Sequence, residues 1–250
     1  MKTCYGRPRY ALTLLAVLAL GFVLGLRHAT DADHVVAMTA LVTRERSPRA
    51  ALVLGAFWGV GHALTLLCVG GAIVLFGLAI PPRLGLSLEM TVAVMLILLG
   101  AFNLTGAAER LVETSARQRA KTLVFAESAP TLGARFHALL RRGGRSLVVG
   151  IVHGLAGSAA LALLVLTTVH DTRSALAYLA VFGAGTIASM MLVTGLLAVP
   201  LRIAALRFAS AERLVARATG ALSLAFGLFL AYRIGFVDGL LLGEAKWTPE

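Results

Sequence analysis

Apolar residues fall along the chain in six long blocks, at about 10–42, 50–79, 86–106, 146–169, 174–200 and 212–234. Polar stretches rich in arginine separate them. Each block reaches roughly 18 residues or more, enough for a helix to cross about 30 Å of hydrocarbon. Ten-residue segments of alternating polarity, which a transmembrane β-barrel requires, do not occur. The pattern predicts an all-α polytopic membrane protein of about six transmembrane helices. The first block is too long for one straight crossing and carries a polar cluster near residues 28–34, so a break or re-entry is expected there. Pro81-Pro82 is expected to close the second block and Pro200 the fifth.

The two halves match each other. Gly25-Leu26-Arg27-His28 has a counterpart in Gly150-Ile151-Val152-His153, 125 residues later. Gly59-Val60-Gly61-His62 has one in Gly183-Ala184-Gly185-Thr186, 124 later, and Gly100-Ala101-Phe102 one in Gly227-Leu228-Phe229, 127 later. These anchors predict a single membrane domain over residues 1–250 made of a three-plus-three repeat, 10–106 and 146–234, with a basic cytoplasmic connector at 107–145. An odd number of helices in each half makes the repeat inverted, and inverted repeats place a site near the midplane.

Composition agrees: 58% of the 250 residues are hydrophobic and 14% charged, well below the charge of a soluble domain. The net charge of +11 points to lipid rather than nucleic acid, because nearly all the arginines sit between apolar blocks. One set of alternate loops carries fifteen Lys and Arg and the other side, with both tails, seven. The richer side is expected in the cytoplasm of an inner-membrane protein, which puts both termini outward. Lys2, Arg7 and Arg9 before an apolar run imitate a signal peptide; retention as the first membrane helix is the expectation. Cys4 and Cys68 form no CxxC pair, which argues against thiol chemistry.

Residues 27–34, Arg27-His28-Ala29-Thr30-Asp31-Ala32-Asp33-His34, place five ionisable side chains within eight positions after a greasy run. A charged residue at the bilayer centre costs roughly 2.5–3.5 kcal/mol, so Arg27, Asp31 and Asp33 together cost on the order of 8–10 kcal/mol unless paired, hydrated or bound. Imidazole and carboxylate together are ligands for a divalent first-row metal. On a regular helix His28, Asp31 and His34 share a face, whereas Asp33 points away. Either the helix unwinds, or one carboxylate holds an imidazole N–H from outside the ligand set; the spacing leaves open whether that is Asp33 or Asp31. His62 and His153 lie inside two further apolar blocks and are candidates to complete or relay the site. Arg27 is expected to pair with Asp31 or Asp33, or to snorkel. Asn103 and Thr65 are expected to hydrogen-bond between helices, and Ser158 is a further supporting position. The methionines read as packing rather than soft ligands.

His28-x4-Asp33-His34 resembles the signature of the nickel/cobalt transporter family. Gly61-His62 is similar to that family's second histidine motif, and His153-Gly154-Leu155-Ala156-Gly157-Ser158-Ala159-Ala160 to a stretch of its short, six-helix, urease-accessory-type permeases. The resemblance covers roughly residues 20–70 and 146–166. It implies a helix-borne metal site used for selection and transport. The longer permeases carry about eight helices and an acidic, threonine-rich motif where this chain has Gly154 to Ala160 without a carboxylate. Related exporters carry a His-rich loop, whereas the 107–145 connector holds His137 alone.

The expected function is a secondary permease moving Ni²⁺, or Co²⁺, into the cytoplasm, with no enzyme activity and no permanent cofactor. The ion is cargo, and the expected partners are the ion, lipid and the proteins that mature nickel enzymes. Alternatives are an exporter for metal tolerance and an accessory scaffold for nickel-enzyme maturation.

Overall fold

A computed structural model describes residues 7–43, 45, 47–78, 80–106, 143–156, 171–207 and 211–247. All regular structure among them is helical. In chain order, α1 is Arg7–His28, α2 Ala32–Val42, α3 Pro48–Phe76 and α4 Pro82–Thr105. Then come α5 over 143–156, α6 Thr172–Arg207 and α7 Ala211–Tyr232. Four of these segments are long and apolar enough to cross a membrane, and α1 with α2 forms a bent pair that also passes. The protein is a multi-pass membrane protein.

The expected break in the first block lies at Ala29–Asp31, where α1 and α2 meet at 55°. Thr30 closes the turn, donating its amide (2.8 Å) and its hydroxyl (2.6 Å) to the Arg27 carbonyl. α3 starts on Ser47, whose hydroxyl accepts from the Ala50 amide at 3.1 Å, with Pro48 in the first turn. A π-helical turn at Leu66–Gly70 interrupts α3, one turn beyond His62.

Two proline expectations need correction. α3 ends at Gly77, in the left-handed region at φ +62°, several residues before Pro81-Pro82. The prolines open α4 instead, with Pro81 as its N-cap and Pro82 in its first turn, where a missing N–H costs nothing. Pro200 does not stop the fifth helix either, since α6 runs through it to Arg207; membrane helices tolerate internal proline. The connector from 107 to 142 lies outside the described residues, as does 157–170.

α4 lies along α7, and α6 lies along both α1 and α3. The short α2 wedges between α4, α6 and α7. Asn103 of α4 donates Nδ2–H to the Ala40 carbonyl of α2 at 2.8 Å, the interhelical bond expected of it. Ser189 of α6 donates to Leu26 of α1 at 2.6 Å, and Ser146 of α5 to Leu54 of α3 at 2.6 Å. Met38, Met95 and Met190 are buried in one core cluster with Ala29, Trp58 and Leu96, and act as packing.

The closest helix approaches repeat with the halves exchanged. A Cβ on Gly25 of α1 would overlap the Phe182 carbonyl of α6, and one on Gly150 of α5 would overlap the Trp58 carbonyl of α3. Gly61 meets Leu147 and Ile151 in the same way that Gly185 meets Phe22 and Leu26. The residues of each contact are displaced from those of its twin by the sequence offsets of 125 and 124.

Candidate metal centre

The break brings four side chains of one short segment together, His28, Asp31, Asp33 and His34. His28 is the last residue of α1 and His34 sits in the first turn of α2. Their rings lie 4.6 Å apart in an edge-on arrangement. α3 brings in His62, fully buried, with ring centroids 5.1 Å from His28 and 5.3 Å from His34. α5 brings in His153 on the other side of His34, at 4.5 Å. Gly61 and Gly154 allow this, because any Cβ there would strike the facing helix.

The carboxylates divide between the imidazoles. Asp31 is the N-cap residue of α2, but its side chain makes no cap bond. It reaches back instead to His28, with Oδ2 2.8 Å from Nδ1. Asp33 places Oδ1 3.1 Å from Nδ1 of His34 and Oδ2 3.3 Å from Nε2 of His153. The sequence left open which carboxylate stands behind an imidazole; in the structure each has its own ring, and Asp33 touches two.

Native structures seldom leave buried polar atoms without partners. Here His28 Nε2, His34 Nε2 and both ring nitrogens of His62 and of His153 are buried without a hydrogen-bond partner. The 3.3 Å approach of His153 to Asp33 lacks hydrogen-bond alignment. Two sets of three ligand atoms could each hold an ion, His28 with His34 and His62, and Asp33 with His34 and His153; within a set the atoms all lie within 4.8 Å of one another. Unpaired nitrogens whose opposite ring nitrogens face carboxylates are the arrangement found around metal-bound histidine.

The supporting positions fare unevenly. Arg27 is exposed, and the carboxylates of Asp31 and Asp33 turn to histidines. Thr65 is buried, but its hydroxyl bonds the Gly61 carbonyl of its own helix at 3.0 Å rather than a neighbouring one. A helical threonine reaches that carbonyl without strain. Asn103 ties α4 to α2 through the Ala40 carbonyl. Ser158 lies outside the described residues.

Sequence reasoning missed the aromatic walls. Trp58 stacks on His34 at 6.2 Å and 17° and lies 5.3 Å from His153, its indole N–H buried and unpartnered. Phe182 covers His28 at 5.6 Å. The signal was present: Trp58 is four residues before His62, hence on the same helix face. Phe182 occupies the matching place before Thr186 in the other half.

No family model matches the chain, and no solved structure does. Among curated proteins it is 33% identical to the urease accessory protein UreH of Bacillus sp. (strain TB-90), over 231 residues covering 91% of this chain and 95% of the relative. Together with the signature at His28 to His34, this places the chain in the nickel/cobalt transporter superfamily, in the branch of urease accessory proteins of the UreH kind.

Proposed function

We propose that the protein is a secondary permease carrying Ni²⁺, or Co²⁺, across the inner membrane into the cytoplasm. The single observation that carries this reading is the group of unpaired imidazole nitrogens of His28, His34 and His62 at the helix break. Asp31 and Asp33 stand behind His28 and His34, fix the ring orientations and raise their basicity. Their charge also offsets part of the dehydration cost of a dication in low dielectric. The ion sheds part of its water shell onto the imidazoles, which suit nickel and cobalt better than magnesium or calcium. Entry of a dication down a membrane potential gains about 4.6 kcal/mol per 100 mV. The ion is cargo and no resident cofactor is needed.

The frame is a three-plus-three inverted repeat, a reading supported by the exchange of glycine contacts between the halves. Such repeats bind at the midplane where discontinuous helices meet, and the α1–α2 break lies beside the repeat-related pair His28 and His153. The loop charges favour outward termini, and the lone histidine of the connector favours uptake over export.

Purified protein in liposomes tests this directly. Flux of Ni²⁺ is expected with the wild-type chain alone and none with His28→Ala. Flux that survives His28→Ala would remove the assignment. Deletion in cells fixes direction, since loss of an importer lowers cell nickel and loss of an exporter raises it. A second reading, a scaffold for nickel-enzyme maturation, draws on the relative's name; transport by the isolated chain would exclude a purely scaffolding role.

A further inference from the structure

His34 belongs to both sets of candidate ligands, and its two ring nitrogens have different surroundings. Nδ1 lies 3.1 Å from Oδ1 of Asp33, whose Oδ2 approaches Nε2 of His153 to 3.3 Å. Separations of this size are the edges of a coordination shell whose bonds are about 2.0–2.2 Å. Nε2 of His34 is buried and unpartnered, like Nε2 of His28 and both nitrogens of His62. The two lone-pair directions of one imidazole diverge, so no single ion can use both.

We propose that His34 is a shared ligand between two alternative seats for one divalent ion. The imidazole seat is His28, His34 through Nε2, and His62. The carboxylate seat is Asp33, His34 through Nδ1, and His153 through Nε2. A neutral ring carries one proton and one lone pair. With Nε2 bound, the proton sits on Nδ1 facing Asp33; with Nδ1 bound, it sits on Nε2. The seats therefore fill one at a time, and repulsion between two dications separated by one ring reinforces this. Asp33 changes role between the seats, standing behind His34 in the first and binding directly in the second. The repeat supplies the outer ligands, since His28 and His153 are equivalent positions in the two halves and flank His34 at ring distances of 4.6 and 4.5 Å. The ion passes between seats by turning about a fixed residue, without leaving the ligand cluster.

The inference rests on the permease reading above, and the test keeps the two apart. The full chain in detergent is titrated with Co²⁺; ions per chain are counted by equilibrium dialysis, and ligation is read from the cobalt d–d spectrum. Wild type is expected to bind one ion. His62→Asn should still bind one, with a spectrum shifted toward oxygen ligation, because the carboxylate seat remains. His153→Asn should still bind one with nitrogen-rich ligation. His34→Asn should weaken binding about tenfold or more beyond either, since both seats lose a ligand. In liposomes His62→Asn and His153→Asn should each lower Ni²⁺ flux about tenfold or more. Two ions per wild-type chain, loss of binding in His62→Asn or His153→Asn as complete as in His34→Asn, or unchanged flux in His153→Asn would each overturn the two seats. If the asparagine variants fail to fold, glutamine replaces them and the wild-type count stands by itself. Wild-type chain that neither binds Co²⁺ nor moves Ni²⁺ would instead remove the permease reading.

Discussion

Asp33 and His34 are consecutive residues, yet their side chains meet at 3.1 Å between Oδ1 and Nδ1. Within a helix, neighbours one apart face different directions; here the first turn of α2, just after the break, brings them together. The same carboxylate extends to His153 of α5. One acidic residue thereby ties the signature in the first half of the chain to the histidine of the second.

Removing the charge while keeping the shape should therefore be felt in two places for Asp33 and in one for Asp31. Asp31→Asn loosens only His28 and is expected to weaken Ni²⁺ binding about 10- to 100-fold, the usual cost of losing a carboxylate behind a metal-bound histidine. Asp33→Asn should weaken it more. Competition against a fluorescent chelator measures both, and equal affinities in the two variants would contradict the division of carboxylates seen at His28 and His34.

Trp58 stacks on His34, and the chain has two tryptophans. The other, Trp247, is far along the chain and donates its indole N–H to Glu89 at 2.7 Å. Titration with Ni²⁺ should quench the Trp58 share of the emission. In Trp58→Phe the remaining emission should not respond to the metal, and a response of unchanged size would place the ion elsewhere.

The glycine contacts predict a matched pair of defects. Gly25→Ala and Gly150→Ala each push a methyl group into a facing carbonyl and are expected to cost about 1–3 kcal/mol, as overpacking does. Gly144→Ala meets nothing within 4 Å and should be neutral. Thermal unfolding in detergent, followed by monodispersity, gives the ranking; equal midpoints for all three would refute it.

Asp171 caps α6 outside the apolar span. Its Oδ2 accepts the Ser174 amide at 2.9 Å and the Ser174 hydroxyl at 2.8 Å. These bonds, the amide first, hold its carboxyl below the ordinary aspartate value of 3.8. A lowered folded value means that the stabilisation is complete above the unfolded value and disappears as pH falls through the folded one. Hydrogen exchange over residues 172–176 should thus be insensitive to pH-corrected changes near neutrality and accelerate below about pH 4. Asp171→Ala should show fast exchange at neutral pH, and Asp171→Ser should restore protection.

Much of this was legible in the residues themselves. The excessive length of the first block, joined to its polar cluster, indicated the break, because a straight helix could neither fit the bilayer nor present Asp33. The glycine offsets matched the two halves, and the same offsets relate their close contacts, but which helices meet was not legible because those partners are far apart in sequence. The assignment of each carboxylate was not legible, because it depends on the turn at Ala29–Asp31 and on an α5 residue distant in sequence. Trp58 does not stand out in the sequence, because its role depends on the ring plane it offers His34. The prolines misled because they mark the start of α4 and a point within α6, and local chemistry permits both as readily as a helix end.

That internal proline has one more meaning. Pro200 brings no N–H to the helix, so the Leu196 carbonyl receives no donor from it, and the Leu196 side chain is on the outer surface. An oxygen on that outer face is met by headgroups or water more readily than by acyl chains, which offer no donor. From Thr172 to Pro200 is about 42 Å at the α-helical rise of ~1.5 Å, close to the roughly 40–45 Å of a bilayer with its polar margins. Pro200 and the arginine two residues beyond it, Arg202, therefore stand at the end of α6 that suits the polar margin of a bilayer.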